Sequence, residues 1–348
     1  MKVLMISGSY PPDVCGVGDY TCHLAEALIA RGLEVILLQR KDWSWRSRRE
    51  LLEEVRGTDY DILHIQYPSV GYGRSLLPQY LSFLCPAVVT LHEFSHSRFL
   101  RKLASFPFLL SARQLLFTTE FEQNWNQRLF PWIAAKSVAI PIGANIAPTS
   151  GGGPRRRDEV IYFGLISPRK GIEEVLDFAS VACQSSSNIQ VRIIGQIAPI
   201  FQKYASTLMD RSRDLPVIWT LGKSESELAS LFASASLAYL PFPDGASERR
   251  GSLKAMLSSG VVCISTEGKQ LSDSLRKVLV LARDGKDAFA KATELLGDRS
   301  TWERLSAEAL AYSQSFQWSH IAARHIEIYT KICDREHPLS RRNVRGSR

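Results

Sequence analysis

Short apolar runs alternate along this chain with segments whose apolar residues recur every three or four positions, the mixed signature of strands and amphipathic helices in an α/β fold. Residues 2–7 predict a first strand, which breaks into Gly8, Pro11, Pro12, Gly16 and Gly18. Asp19 then caps a helix through Arg31, with Leu24, Ala25, Leu28 and Ile29 on one side, and Gly32 ends it before a strand at 33–38. A strand, helix, strand unit implies a parallel sheet. Further strands are expected at Asp61–Gln66, Ala87–Leu91, Gln114–Thr118 and Ser137–Ile140, enough for one open α/β domain over residues 1–146.

At residues 147–158 the pattern stops: glycines, prolines and three consecutive arginines leave almost nothing apolar, as in a linker. The alternation restarts with a strand at 159–163, a helix from Gly171 to Cys183, a strand at 191–195, a helix through Met209 and a strand at 217–220. Ser224-x-x-Glu227 is a capping box for the next helix. It leads to the strand Ser236–Leu240, the turn Pro241–Gly245, and a helix from about Gly251 that Gly260 stops. Strands at 261–266 and 278–281 and helices at Asp287–Leu296 and Thr301–Ser315 complete a second α/β domain over 159–315. The amphipathic segment Trp318–Cys333 predicts a last helix, and residues 334–348 a disordered tail.

At 348 residues, with 45% hydrophobic and 22% charged side chains, the chain suits two soluble domains. No apolar run approaches the roughly 20 residues that cross a bilayer, and the N-terminus lacks a cleavage site, which predicts a cytoplasmic protein. Six scattered cysteines form no CxxC pair and no metal-ligand spacing, so neither disulfides nor a metal site are expected. A formal charge of +8 suits an anionic partner without choosing among nucleotide, acidic membrane and nucleic acid.

Three spots share one character: turn residues that follow a strand and open a helix. They are Gly16-Val17-Gly18, the run Gly164–Gly171 with Arg169 and Lys170, and Ser247–Ser252 with Glu248, Arg249, Arg250 and Gly251. Glycines admit a ligand close to backbone, and arginines beside a helix N-terminus make a receptor for phosphate. Neither GxGxxG nor GxxxxGK[ST] is present, which argues against a nicotinamide enzyme and a phosphate-loop NTPase. In an open α/β framework such turns gather at the carboxyl ends of strands, where ligands bind.

The segments ISGSYPPDVCGVGDYTCHLAEALIARGLEV, TLHE, IPIGANI, YFGLISPRKG, VRIIG, WTLGKSESELASLFASASLAYLPF and FQWSHIAARHIEIY, in this order and over nearly the whole length, resemble a glycosyltransferase of the two-domain GT-B fold in the large retaining family four. The resemblance implies two Rossmann-like domains with parallel sheets facing across a cleft, and a last helix (316–333) crossing back to the first. It implies sugar transfer from a nucleotide diphosphate sugar of the UDP or GDP type to a glycan, glycolipid or lipid-linked acceptor, with no metal or other cofactor. The donor side would comprise Gly16, Val17, Gly18, Gly164, Arg169, Lys170, Gly195, Arg249, Arg250, Gly251, Ser252 and Leu253. His92 would sit by the donor sugar, Lys170 at the diphosphate, and Glu248 at sugar hydroxyls. Lys170, Arg249, Arg250 and the helix N-terminus would stabilise the departing diphosphate.

Two departures qualify the likeness. Leu165 stands where the family has an arginine after the glycine, which leaves Arg169 as a substitute. Ala246 and Lys254 replace two glutamates, which predicts either recognition through Glu248, with Lys254 favouring a donor that carries an acidic group, or loss of activity. A catalytically silent sugar-nucleotide binder or membrane-docking protein, and a GT-B sugar-nucleotide epimerase, are the alternatives.

On the acceptor side, Tyr67, Tyr72 and Arg74 follow the strand that contains His64 and Gln66, which reach the site or pack in the core. Residues 40–49 interleave Trp43 and Trp45 with positive charge, and His96–Leu110 mixes Arg98, Arg101 and Lys102 with Phe99, Leu100, Phe106, Phe108 and Leu109. Both suit an anionic membrane surface, with the protein peripheral on its inner face. No nucleic-acid module is recognisable, so no nucleic-acid partner is expected.

Overall fold

The computed structural model describes residues 1–13, 15–92, 94, 99–144 and 155–336. They form two compact units, one of residues 1–143 with the chain from Gln317 onward, the other Ala144–Phe316. In the first unit the strands are β1 (Lys2–Ile6), β2 (Glu34–Leu38), β3 (Ile62–Tyr67), β4 (Ala87–Leu91), β5 (Gln114–Phe117) and β6 (Ser137–Ala139). They pair in parallel in the order β2-β1-β3-β4-β5-β6. The connections carry α1 (Gly16–Ile29), α2 (Arg48–Gly57), α3 (Leu77–Leu84), α4 (Phe99–Ser111) and α5 (Glu120–Leu129). Strands β3 and β4 are buried at every position, which is why they read as apolar runs and not as alternation.

The second unit repeats the plan. Its strands are β7 (Arg156–Ile166), β8 (Gln190–Ile197), β9 (Val217–Leu221), β10 (Ala235–Leu240), β11 (Val262–Ser265) and β12 (Leu279–Leu281), in the parallel order β12-β11-β10-β7-β8-β9. Between and after them run α6 (Ile172–Gln184), α7 (Gln202–Arg211), α8 (Glu225–Ser234), α9 (Gly251–Ser258), α10 (Asp273–Lys277), α11 (Gly285–Gly297) and α12 (Arg299–Ser313). The capping box opens α8, with Ser224 and Glu227 satisfying each other's backbone N–H. The last helix, α13 (Trp318–Glu336), belongs to the first unit, where Ile321, Ala322, Tyr329 and Ile332 join the core of α1, β1 and β3.

Three expectations need correction. Helix α1 begins at Gly16, so Gly16, Val17 and Gly18 form its first turn and not a loop before it. The expected linker is structured from residue 155: the Arg155 guanidinium donates to the carbonyls of Ala235 (2.6 Å) and Ser259 (2.7 Å), and Arg155 and Arg157 both lie over the Trp302 ring. Positive charges that suggest a solvated tether on paper are here tied down by carbonyls and an aromatic face. The tail is still helical through Glu336. Residues 145–154 and 337–348 lie outside the described residues.

Candidate functional site

The second unit carries a cavity of 480 Å³ along the carboxyl ends of β10, β7, β8 and β9, where an open α/β sheet holds its ligand. Its floor is backbone. The β7–β8 register pairs Gly164 with Gly195, and a Cβ on Gly195 would lie 2.0 Å from the Gly164 carbonyl oxygen, so that position requires glycine. The loop after β7 is set by Gly171, which has φ +80° and whose added Cβ would meet the Pro241 carbonyl oxygen at 1.7 Å. Only glycine allows this loop to press against the end of β10 and so present Lys170 to the cavity.

The wall over β10 is the start of α9. Arg250 is its N-cap, with no side-chain cap, and the first backbone bond into the helix runs from the Lys254 N–H to the Arg250 carbonyl. The N–H groups of Gly251, Ser252 and Leu253 precede that bond, which concentrates partial positive charge at the cavity. Arg250 lies over the Phe242 ring at 4.7 Å and pairs with Asp244, while its Nε is buried and has no hydrogen-bond partner among the described residues. Lys170, Lys223, Arg249 and Arg250 line the cavity, and among the described residues no acidic side chain does. Four cations, a helix start and a bare floor make a receptor for a polyanion.

Of the expected donor residues, Gly164, Lys170, Gly195, Arg249, Arg250, Gly251 and Ser252 meet in this cavity. Arg169 does not: it is exposed, at φ +66°, and is not among the lining residues. Leu253 is core, at 1% exposure. Glu248 is buried behind the α9 start, where its Oε1 accepts from the Ser272 hydroxyl and the Tyr312 hydroxyl at 2.9 Å. Lys254 is likewise buried, its ammonium 5.0 Å from the Phe316 ring, so neither residue presents its charge to the cavity. Burial pushes the Lys254 pKa down to about 7, opposed in part by Glu248. Leu165 lines the cavity in place of the expected arginine. Sequence reasoning missed Phe163, Gln196, Lys223 and Phe242. Lys223 had a signal, because it too follows a strand and precedes a capped helix.

The remaining candidates lie in the first unit. His92 directly follows β4, and its Nε2–H donates to Gln66 Oε1 at 2.9 Å, since an amide oxygen only accepts. The Gln66 amide nitrogen donates to His64 Nε2 at 3.3 Å, which also accepts from the Thr90 hydroxyl at 2.8 Å. His64 Nδ1–H therefore donates to the Tyr329 hydroxyl at 2.7 Å. This buried chain connects α13 to His92 and fixes the His92 tautomer. Burial holds the His64 pKa well below the usual histidine range, and that of His325, 5.7 Å from His64 ring to ring, falls to about 4.

The acceptor-side tyrosines are core residues. Tyr72 is 3% exposed, donates to the Ile6 carbonyl at 3.2 Å and packs edge-on against Trp43 at 4.6 Å; Tyr67 is buried against Phe108 at 5.0 Å. Arg74 is exposed. Trp43, Phe108 and Leu109 are also core, leaving Trp45 as the exposed tryptophan of its stretch. The placement of Arg98 and the side chains of Phe99, Leu100 and Arg101 lie outside the described residues.

No family model and no curated protein matches the sequence. Among solved structures, the chain is similar to HepE of Anabaena in complex with UDP and glucose, at 14% identity and a TM-score of 0.65 over 95% of this chain and 100% of that one. Sucrose-phosphate synthase of Thermosynechococcus elongatus matches at 17% identity and a TM-score of 0.68, over 95% and 99%. WaaG, a glycosyltransferase involved in lipopolysaccharide biosynthesis, matches at 14% identity and a TM-score of 0.60, over 94% and 99%. Two parallel six-stranded sheets with this connectivity and these likenesses give the chain the GT-B fold of glycosyltransferases.

Proposed function

We propose that the protein is a glycosyltransferase that uses a nucleotide diphosphate sugar, and that the cavity of the second unit holds the donor's nucleoside diphosphate. The observation that carries this reading is the paired-glycine floor under Lys170, Arg249, Arg250 and the start of α9. A donor of this class is also what a likeness to proteins solved with UDP or ADP suggests. The phosphates belong at the β10–β7 end, where these cations concentrate. Three strand spacings, about 14 Å, then carry the nucleoside toward Gln196 and Lys223 at the β8–β9 end. Lys223 has donors only, and Glu227 holds its ammonium at 2.7 Å; it favours a base that presents a carbonyl, uracil or guanine.

Breaking the sugar–phosphate bond leaves negative charge on the departing diphosphate. Lys170, Arg249, Arg250 and the first-turn N–H groups of α9 would meet that charge as it grows, without a metal ion. The first unit would hold a glycan, glycolipid or lipid-linked acceptor, with His92 beside the donor sugar and oriented through Gln66, and transfer would retain the anomeric configuration. A panel of nucleotide sugars, followed by thermal shift and by release of free sugar without acceptor, tests this. One donor should raise the melting temperature and be cleaved slowly to a sugar of retained configuration. A protein that binds donor but never cleaves it is a silent binder, an altered sugar still on its nucleotide marks an epimerase, and no binding at all refutes the reading.

A further inference from the structure

We infer that α3, α4 and the short helix Pro131–Lys136 of the first unit form a docking face for an anionic lipid bilayer, a property independent of the donor cavity. The observation is a helix that is apolar on both sides yet lies at the surface. Phe108 and Leu109 of α4 point into the core at 0% exposure, while Leu103 and Leu110, seven residues apart and so on one face, are 60% and 53% exposed. No charged residue occurs between Lys102 and Arg113. An amphipathic surface helix would place its charges where these leucines are.

The patch continues onto neighbouring elements. The Ser82 and Ser111 hydroxyls, 2.6 Å apart, tie the end of α3, with exposed Phe83 and Leu84, to the end of α4, with exposed Leu110. The Lys136 ammonium donates to the Leu110 and Ala112 carbonyls, at 3.0 and 2.9 Å, which brings in exposed Trp132. At the other side Trp45, half exposed, packs on Tyr80 of α3 at 5.1 Å under the Arg48 guanidinium.

Charge identifies the occupant. Among the described residues between Asp61 and Glu120 no side chain is acidic, whereas Arg74, Lys102 and Arg113 are basic. Leucine and phenylalanine that enter the acyl boundary, tryptophans at headgroup depth and a surrounding excess of lysine and arginine are the composition an acidic membrane surface selects. Among the described residues no helix is long and apolar enough to cross a membrane, so contact is with one leaflet. Such a face would bring a lipid-linked acceptor to the unit proposed to hold it.

The test is co-sedimentation of the full chain with vesicles of phosphatidylcholine alone and with phosphatidylglycerol added, at low and high salt. The phosphatidylglycerol vesicles should retain the protein, less so at high salt, and the double variant Leu103→Glu, Leu110→Glu should weaken retention at least about tenfold. Both leucines are exposed, so the variant keeps its melting temperature and its binding of UDP or GDP, which separates failure here from failure of the donor reading. Absence of retention at low salt, retention unaffected by the double variant, or a stable dimer that the double variant dissociates would each overturn the inference.

Discussion

Lys254 offers a quantitative test of how the cavity wall is supported, because it is a fully buried lysine one turn into the helix whose start lines the cavity. Its pKa is about 7 in the folded protein and about 10.4 in an unfolded chain. Between these values the unfolded chain carries a proton that the folded one lacks, so stability rises with pH through this window and levels off above it. Integrating one such proton between pH 7 and pH 9 gives about 2 kcal/mol. Lys254→Met keeps the packing volume near Phe316 and removes the titration, while Ser272 and Tyr312 still hold Glu248. Equilibrium urea unfolding of both proteins at pH 7, 8 and 9 measures the effect. The wild type should gain about 2 kcal/mol more than the variant over that range. Other groups that titrate there contribute to both proteins and cancel in the difference. Parallel pH dependences would show that Lys254 titrates as an exposed lysine does, and the packing described behind α9 would be wrong.

Three further outcomes are expected. Acid should destabilise the first unit, because His325 is neutral at a folded pKa of about 4 but charges near 6.5 when unfolded; stability present above pH 6.5 falls by about 3 kcal/mol toward pH 4, and His325→Leu should flatten that slope in unfolding measurements. Tyr329→Phe leaves His64 Nδ1–H without its acceptor and should cost about 1–3 kcal/mol of unfolding free energy; a change below a few tenths would remove the buried chain from the account. Gly195→Ala drives a methyl onto the Gly164 carbonyl, so the floor must shift, and calorimetry should find nucleotide binding weakened at least about tenfold even where the fold survives.

The strands of both sheets were legible because most are apolar runs broken by glycine, proline or polar residues, and a buried parallel strand carries little else. The polyanion site was legible for the same reason: Gly164 and Gly195 lie near the carboxyl ends of β7 and β8, Lys170 and Arg249–Ser252 follow strands, and parallel pairing gathers strand ends. Pairing itself was not legible, so Lys223, which follows β9, and Gln196, at the end of β8, gained their role only once β8 and β9 lay beside β7. Helices α2 to α5 were hidden by the same one-dimensional view. In α4 the apolar residues lie on both sides, so periodicity gives no single face, and in α2 the arginines drew attention to charge. Tyr67, Tyr72 and Trp43 resemble site aromatics in a glycine-rich or basic context, yet the Ile6 and Arg40 carbonyls hold the Tyr72 hydroxyl and the Trp43 indole N–H inside the core. Glu248 and Lys254 mislead for a related reason: adjacent to the site in sequence, they face the other side of α9.

The central claim is that the second unit grips a diphosphate with Lys170, Arg250 and the α9 start. Isothermal titration of UDP and GDP into the wild type and into the double variant Lys170→Ala, Arg250→Ala tests it directly. At roughly 1.5–3 kcal/mol for each charge-assisted contact, the wild type should bind at least one of the two, and the variant should bind it at least about a hundredfold more weakly. Equal affinities, or a wild type that binds no nucleoside diphosphate, would contradict the account.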